Sequence, residues 1–240
     1  MPERDETVGE VSAWDLPTRL FHWLLLLLII CAYATSTFAE ALGDNSLLWH
    51  RINGLAILHL LVFRLLWGFF GSSTARFSSF LVWPWRTVSY ALALIQGKSR
   101  PFLGHNPLGA WMVVALLGVV ATQALLGLFS SDDTAIAAGP LYRLVSSDTV
   151  ELFTKWHHRL FKLVLLPLIG LHILANVFYA LVKREPLIKA MVTGKKPAHS
   201  YSDAAQTMMP QHLMIRAAFC LVAASALTLG TIWLLVGRIL

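Results

Sequence analysis

Residues 155 to 172 read KWHHRLFKLVLLPLIGLH and set His157, His158 and His172 in a run that otherwise has the character of membrane-buried helix. Ionisable side chains are costly in hydrocarbon and usually functional there. As a helix, the fourteen residues from His158 to His172 cover about 21 Å and turn through about 1400°, leaving the second imidazole roughly 40° from the face of the first. His157, fifteen residues from His172, is left at roughly 60°, so the spacing favours His158 over it only weakly. One helix therefore presents two imidazoles near one face, one towards each side of the membrane. Each has a partner at matching height, His50 with His158 at the outer end and His22 with His172 at the inner end. A haem iron takes axial imidazoles from opposite sides of its plane. Two levels of paired histidines suit two haems stacked across the bilayer, with both axial positions filled and electron transfer favoured over oxygen binding. The chain has no C-x-x-C-H motif, so such haems would be non-covalent, that is, b type.

The surrounding residues suit flat, anionic groups. Gly54 lies one turn past His50 and Gly170 two residues before His172, where missing side chains let a macrocycle approach. Haem propionates need cations at the membrane surface. Arg19 precedes His22 by a turn, and Arg51 and Arg159 flank the outer histidines. Arg64, fourteen residues after His50, could serve the inner level in the same way. The remaining histidines read differently. A lone histidine in a membrane helix often does no more than bond to a neighbouring helix. His59, mid-span and nine residues below His50, reads as a packing or proton-relay residue before a ligand. His105, in GHNPLG, is loop-like and cytoplasmic, a candidate for a substrate pocket. His199 and His212 read as solvated loop residues. A rival reading makes the histidines zinc or nickel ligands of a transport or metal-binding membrane protein. That chemistry needs a cluster in one small sphere, whereas these pairs lie about 20 Å apart.

The elements that must position these residues are membrane spans. The chain has 240 residues, of which 57% are hydrophobic and only 13% charged, and its mean hydropathy is +0.65. A soluble domain carries charge on about a quarter of its residues. Five apolar runs are long enough to cross a bilayer: Leu16 to Phe38, Leu47 to Phe70, Leu108 to Phe129, Thr154 to Val182 and Leu213 to Val236. Asn106 can cap the third, and Pro107 suits its first turn. Cys31 and Cys220, the two cysteines, read as small buried residues and cannot supply the four thiolates of an iron–sulfur cluster. The first run could pass for a signal peptide with FAEA as its cleavage site, but the leading segment MPERDETVGEVSAWD is acidic, so the run is expected to be retained.

Orientation follows from the loops. Arg76, Arg86, Lys98 and Arg100 lie between the second and third spans, and Lys183, Arg184, Lys189, Lys195 and Lys196 follow the fourth. The other two loops lean acidic, with Glu40 and Asp44 in one and Asp132, Asp133, Asp148 and Glu151 in the other. Positive loops stay inside, which makes the amino terminus cytoplasmic and the carboxyl terminus periplasmic. The net charge of +6 thus reports topology rather than nucleic acid. Trp14, Trp49, Trp67, Trp83, Trp85 and Trp156 fall near the expected interfaces, where amphipathic rings belong. Residues 71 to 107 are amphipathic and expected to lie along the cytoplasmic face, and 131 to 153 could hold a short outer helix.

The segments WDLPTRLFHW, HRINGLAILHLLVFRLLWGFFGS with ARFSSF, GHNPLGA, and WHHRLFKLVLLPLIGLHILAN resemble, in that order, the bacterial di-haem cytochrome b family. Its members include the b-type cytochrome subunit of nickel–iron hydrogenases and the bacterial cytochrome b561 proteins, and the resemblance covers about residues 12 to 185. It implies an all-α, four-helix transmembrane bundle with two b haems, ligated from the first, second and fourth helices. It also implies exchange of electrons with a quinone. Matched to the family motifs, the ligands are His22, His50, His158 and His172, which supports His50 over His59. Two departures stand out. Arg159 follows His158 where the family has an acidic residue, and the fifth span lies outside the four-helix core.

The expected organisation is a cytoplasmic tail (1–13), a di-haem domain (14–185), a cytoplasmic linker (186–212) and an additional transmembrane helix (213–240). The expected function is electron transfer across the bacterial inner membrane between the quinone pool and a periplasmic partner, either a hydrogenase subunit or a c-type cytochrome. The outer haem would face that partner, and quinone would react near the inner one, with His105 a candidate there.

Overall fold

The structure, a computed structural model, describes residues 9–43, 45–131, 138–198, 200–203 and 208–237. Asp44, Asp132, Asp133 and His199, read above as loop residues, lie outside the described residues. Among the described residues, five helices are long and apolar enough to cross a membrane: α1 (Leu16–Thr37), α3 (Ser46–Phe70), α6 (Pro107–Phe129), a fourth running Ser147–Leu181, and α10 (Leu213–Val236). The short helix α2 (Ala39–Leu42) joins the first two spans. Caps fix the starts. The Asp15 carboxylate accepts from the Thr18 amide ahead of Pro17, and the Asn106 side chain accepts from the Gly109 amide ahead of α6.

The expected spans agree with these to within a residue or so except the fourth, which starts at Ser147 rather than Thr154. It is also interrupted. It comprises α7 (Ser147–Leu160), a π-helical turn at Phe161–Leu165 and α8 (Leu166–Leu181), with Pro167 in the first turn of α8. A proline withholds an N–H and its ring crowds the carbonyl four residues back, here that of Leu163. Local π adjustments are one way that membrane helices accommodate proline.

The second span, α3, is the hub, packed against α1, α6 and α10. At the inner end Phe21, Phe63, Trp67, Ala75, Ala217, Cys220 and Ala224 form one core cluster. At mid-depth Ile57 and Leu61 of α3 meet Val120 of α6 and Leu165 of the π turn. The fifth span offers a stripe of small buried residues, Ala217, Cys220, Ala224 and Thr228, which lets its backbone approach α3 closely. The outward faces are apolar, as a lipid solvent requires, with Leu24, Leu27, Ile30, Leu174 and Leu181 exposed.

Residues 71 to 107 hold α4 (Phe77–Phe80) and the amphipathic α5 (Pro84–Ile95), which exposes Trp85, Val88, Leu92 and Ile95. The outer connection contains a 3-10 turn at Tyr142–Leu144. At the inner end β1 (Glu10–Ser12) pairs antiparallel with β2 (Lys195–Pro197), with Val11 opposite Lys196. The stretch expected as linker therefore carries α9 (Leu187–Thr193) and a strand tied to the amino-terminal tail. Two tryptophans differ from the expected interfacial role. Trp67 and Trp14 are buried, and the Trp67 indole N–H points at the Asp15 carboxylate, whereas Trp49, Trp83, Trp85 and Trp156 stay exposed.

Candidate functional site

Two histidine pairs face each other across the bundle. At the inner level, His22 of α1 and His172 of α8 have ring centres 6.4 Å apart with planes 51° apart. At the outer level, the ring facing His50 of α3 belongs to His157, at 6.1 Å and perpendicular to it. Two metal–nitrogen bonds of about 2 Å in line, plus half a ring on each side, put bis-imidazole centres about 6 Å apart. Both separations suit an iron between the rings.

The outer pair is oriented for that role. His50 donates from Nδ1 to the Ala32 carbonyl at 2.8 Å, and His157 donates from Nδ1 to the Gln123 carbonyl at 3.0 Å. A ligating imidazole commonly spends its second N–H on a carbonyl in this manner, which fixes the tautomer and leaves the Nε2 lone pair for the metal. Gly127 admits the His157 ring to the surface of α6. A methyl group there would come within 3.1 Å of the ring's Cε1. At the inner level the Nδ1 of His22 is buried without a partner. The Asn176 amide nitrogen lies 2.8 Å from the His172 carbonyl and 3.3 Å from its Nε2, so the carbonyl takes the shorter bond.

His158 is exposed and its ring stands 6.0 Å from that of His157. The fourteen-residue spacing favours it on the assumption that the fourth span is an unbroken α-helix. The π turn removes that assumption, and the two adjacent rings exchange faces. Gln123 and Gly127, which hold His157, were not singled out from the sequence. The signal available was a glycine and a lone amide in the otherwise apolar α6.

The cations divide by burial. Arg64 is buried, donates to the Ala75 carbonyl and sits over the Phe77 ring, yet its Nη1 has no partner. Arg19 donates to the Val192 carbonyl and Arg51 to the Ala138 carbonyl, and the Nε of each is buried and unpartnered. Buried donors without acceptors are rare in a folded protein; among the described residues four guanidinium groups carry one, Arg76 being the fourth, and those of Arg19, Arg51 and Arg64 suit anionic propionates. Arg159 is exposed. A Cβ at Gly54 or Gly170 would meet nothing within 4 Å, which leaves room for a flat group at both levels. No group of three or more histidine, cysteine or acidic residues that could hold a metal ion occurs among the described residues. The transport reading needs such a cluster, whereas the histidines come together in twos.

His59 lies 3.2 Å from the Thr228 hydroxyl of α10 and faces neither pair. His105 is clasped between Trp14 and Phe80, with ring centres 4.7 and 4.6 Å away, and its Nδ1 has no partner. Burial, reinforced by the charges of Arg64, Lys196 and His172, pushes its pKa down to about 3, so the ring is neutral. His212 is exposed just ahead of α10. The Tyr90 and Tyr179 hydroxyls meet at 3.1 Å, and the Tyr90 ring packs edge-on against Phe102. A cavity of about 390 Å³ opens nearby at the inner end, lined by Ser99, Lys183, Glu185, Lys196 and Tyr201 among others.

Residues 13–194 match the family described as prokaryotic cytochrome b561. Among curated proteins, the chain is similar to a probable Ni/Fe-hydrogenase B-type cytochrome subunit from Azotobacter chroococcum mcd 1. The two are 25% identical over 212 residues, spanning 77% of this chain and 87% of that protein. No solved structure matches.

Proposed function

We propose that this chain, which belongs to the prokaryotic cytochrome b561 family, holds two b-type haems and carries electrons across the bacterial inner membrane between a quinone and a periplasmic redox partner. The observation that carries this reading is the pair of facing imidazole couples, at 6.4 Å and 6.1 Å, at opposite ends of one bundle. His22 and His172 would hold the inner haem, His50 and His157 the outer one. Haem supplies one-electron chemistry when bound. The chain's own residues orient the imidazoles through carbonyl acceptors, offer Arg19, Arg51 and Arg64 to the propionates, and keep water from the core with Ile57, Leu61, Val120 and Leu165.

The family relative named as a hydrogenase cytochrome subunit makes a hydrogenase the favoured partner, at the outer end where His50 and His157 lie. The quinone would react at the inner end, beside His105 and the Tyr90–Tyr179 pair. The positive loops support a cytoplasmic position for that end. Haem content tests the assignment. Purified chain should show a reduced b-type spectrum with about two haems per polypeptide. His22→Ala and His50→Ala should each lose one haem, while His59→Ala keeps both. A colourless preparation from haem-replete cells would sink the reading, and loss of a haem in the His59 variant would overturn the ligand choice.

A further inference from the structure

His157 and His172 are fifteen residues apart, a spacing that in a regular helix leaves the two rings about 60° out of register. The hydrogen bonding between them is not regular. At Phe161–Leu165 the helix passes through a π turn, in which the Leu166 amide reaches the Phe161 carbonyl five residues back. Each i→i+5 closure takes in one residue more than the α pattern and leaves the helix on either side unchanged. Fifteen positions less the one absorbed residue equal fourteen, the separation that sets two imidazoles near one face across about 21 Å. The same subtraction leaves His158 at thirteen, turned by about a further 100° away from His50. The exposed His158 and the inward His157 have these orientations.

Both flanks of the turn are anchored. Phe161 stacks on Tyr33 of α1 at 5.6 Å, with planes 18° apart. Leu165 is buried in the mid-depth cluster with Ile57, Leu61 and Val120. Between them Leu163 and Val164 are exposed on the lipid-facing side. Pro167 supplies the local cause, since an unbroken α-helix would aim the Leu163 carbonyl at a proline ring with no N–H.

Resting on the two-haem reading above, we infer that this π turn is the positioning device that assigns the outer site to His157: it stores one surplus residue and so passes over the adjacent His158. The turn acts by setting the register of α7 against α8.

The test is a one-residue deletion combined with point variants in the full chain, read by haem stoichiometry and by the low-spin signals of each haem in electron paramagnetic resonance. Deleting Leu163 together with Pro167→Ala removes the stored residue and its local cause, so the helix becomes regular with His157 now fourteen residues before His172. Both haems and both signals are expected to remain. In the unaltered and in the deleted chain alike, His157→Ala should lose the outer haem and His158→Ala should keep it. Inserting one alanine after Val164 while the π turn persists should reverse this dependence, so that His158→Ala loses the outer haem and His157→Ala keeps it. Loss of the outer haem in the deleted chain overturns the inference, whether or not the inner haem survives. A His158 requirement in the unaltered chain overturns it as well, independently of how the deleted chain folds. Failure of the underlying two-haem reading looks different, since the unaltered chain itself would then carry fewer than two haems.

Discussion

Each pair of imidazoles is defined as much by its second nitrogens as by its separation. His50 and His157 give Nδ1–H to the carbonyls of Ala32 and Gln123, and these bonds hold the rings edge to face. His158, one residue along, has the same chemistry but is exposed, so neighbourhood rather than residue type separates the two. The arginines act at the same scale. Arg51 donates to the Ala138 carbonyl and keeps its Nε buried and free. A cation near a haem favours the reduced, less positive form, so Arg51→Gln should lower the outer midpoint potential. A fall of about 60 mV would correspond to a tenfold change for one electron. Potentiometric titration checks this, and an unchanged outer potential would remove Arg51 from the propionate assignment. Gly127 makes a second residue-scale claim. Gly127→Val should push the His157 ring out of place and reduce outer haem occupancy, seen as a drop in haem per chain with the inner haem retained.

At the scale of elements, the helices were largely legible and their interruption was not. Five apolar runs of sufficient length, a cap at Asn106 and a proline beside it are local signals, and the observed spans start or end within a residue or so of them for four of five. The fifth span, α10, has the bounds read from its apolar run. The π turn has no local signal beyond Pro167 inside the span, and a constant 3.6 residues per turn carries the rotation straight through it. Trp67 was misplaced for a related reason. Its depth suited an interface, and only tertiary packing brings Thr18 and Asp15, which also accepts from the Ser72 hydroxyl, to its indole N–H. The mid-depth cluster carries an energetic expectation. Leu165→Ala removes a buried side chain next to the π turn, and such truncations cost about 2–5 kcal/mol. The variant should release both haems at a lower temperature than the unaltered chain in a thermal absorbance scan. Unchanged release would mean that the cluster does not hold the turn.

For the whole molecule, the inner and outer ends are built differently. The inner end is closed by β1 against β2, with the buried Lys196 donating to the Phe102 carbonyl and the Asp203 carboxylate accepting from the Leu103 and Gly104 amides. These ties join residues about a hundred or more positions apart, and no local pattern announces them. The distribution of lysine and arginine predicts that this closed end is cytoplasmic. Alkaline phosphatase fused after residue 240 should therefore be active and the same enzyme fused ahead of residue 1 inactive; the reverse would invert the topology. The central claim is that two haems sit at two levels between facing histidines, and a redox titration of the purified chain tests it most directly. Two b-type components of about equal amplitude are expected, with His172→Ala removing one and leaving the other in place. A single component in the unaltered chain, or loss of neither on removing His172, would contradict it.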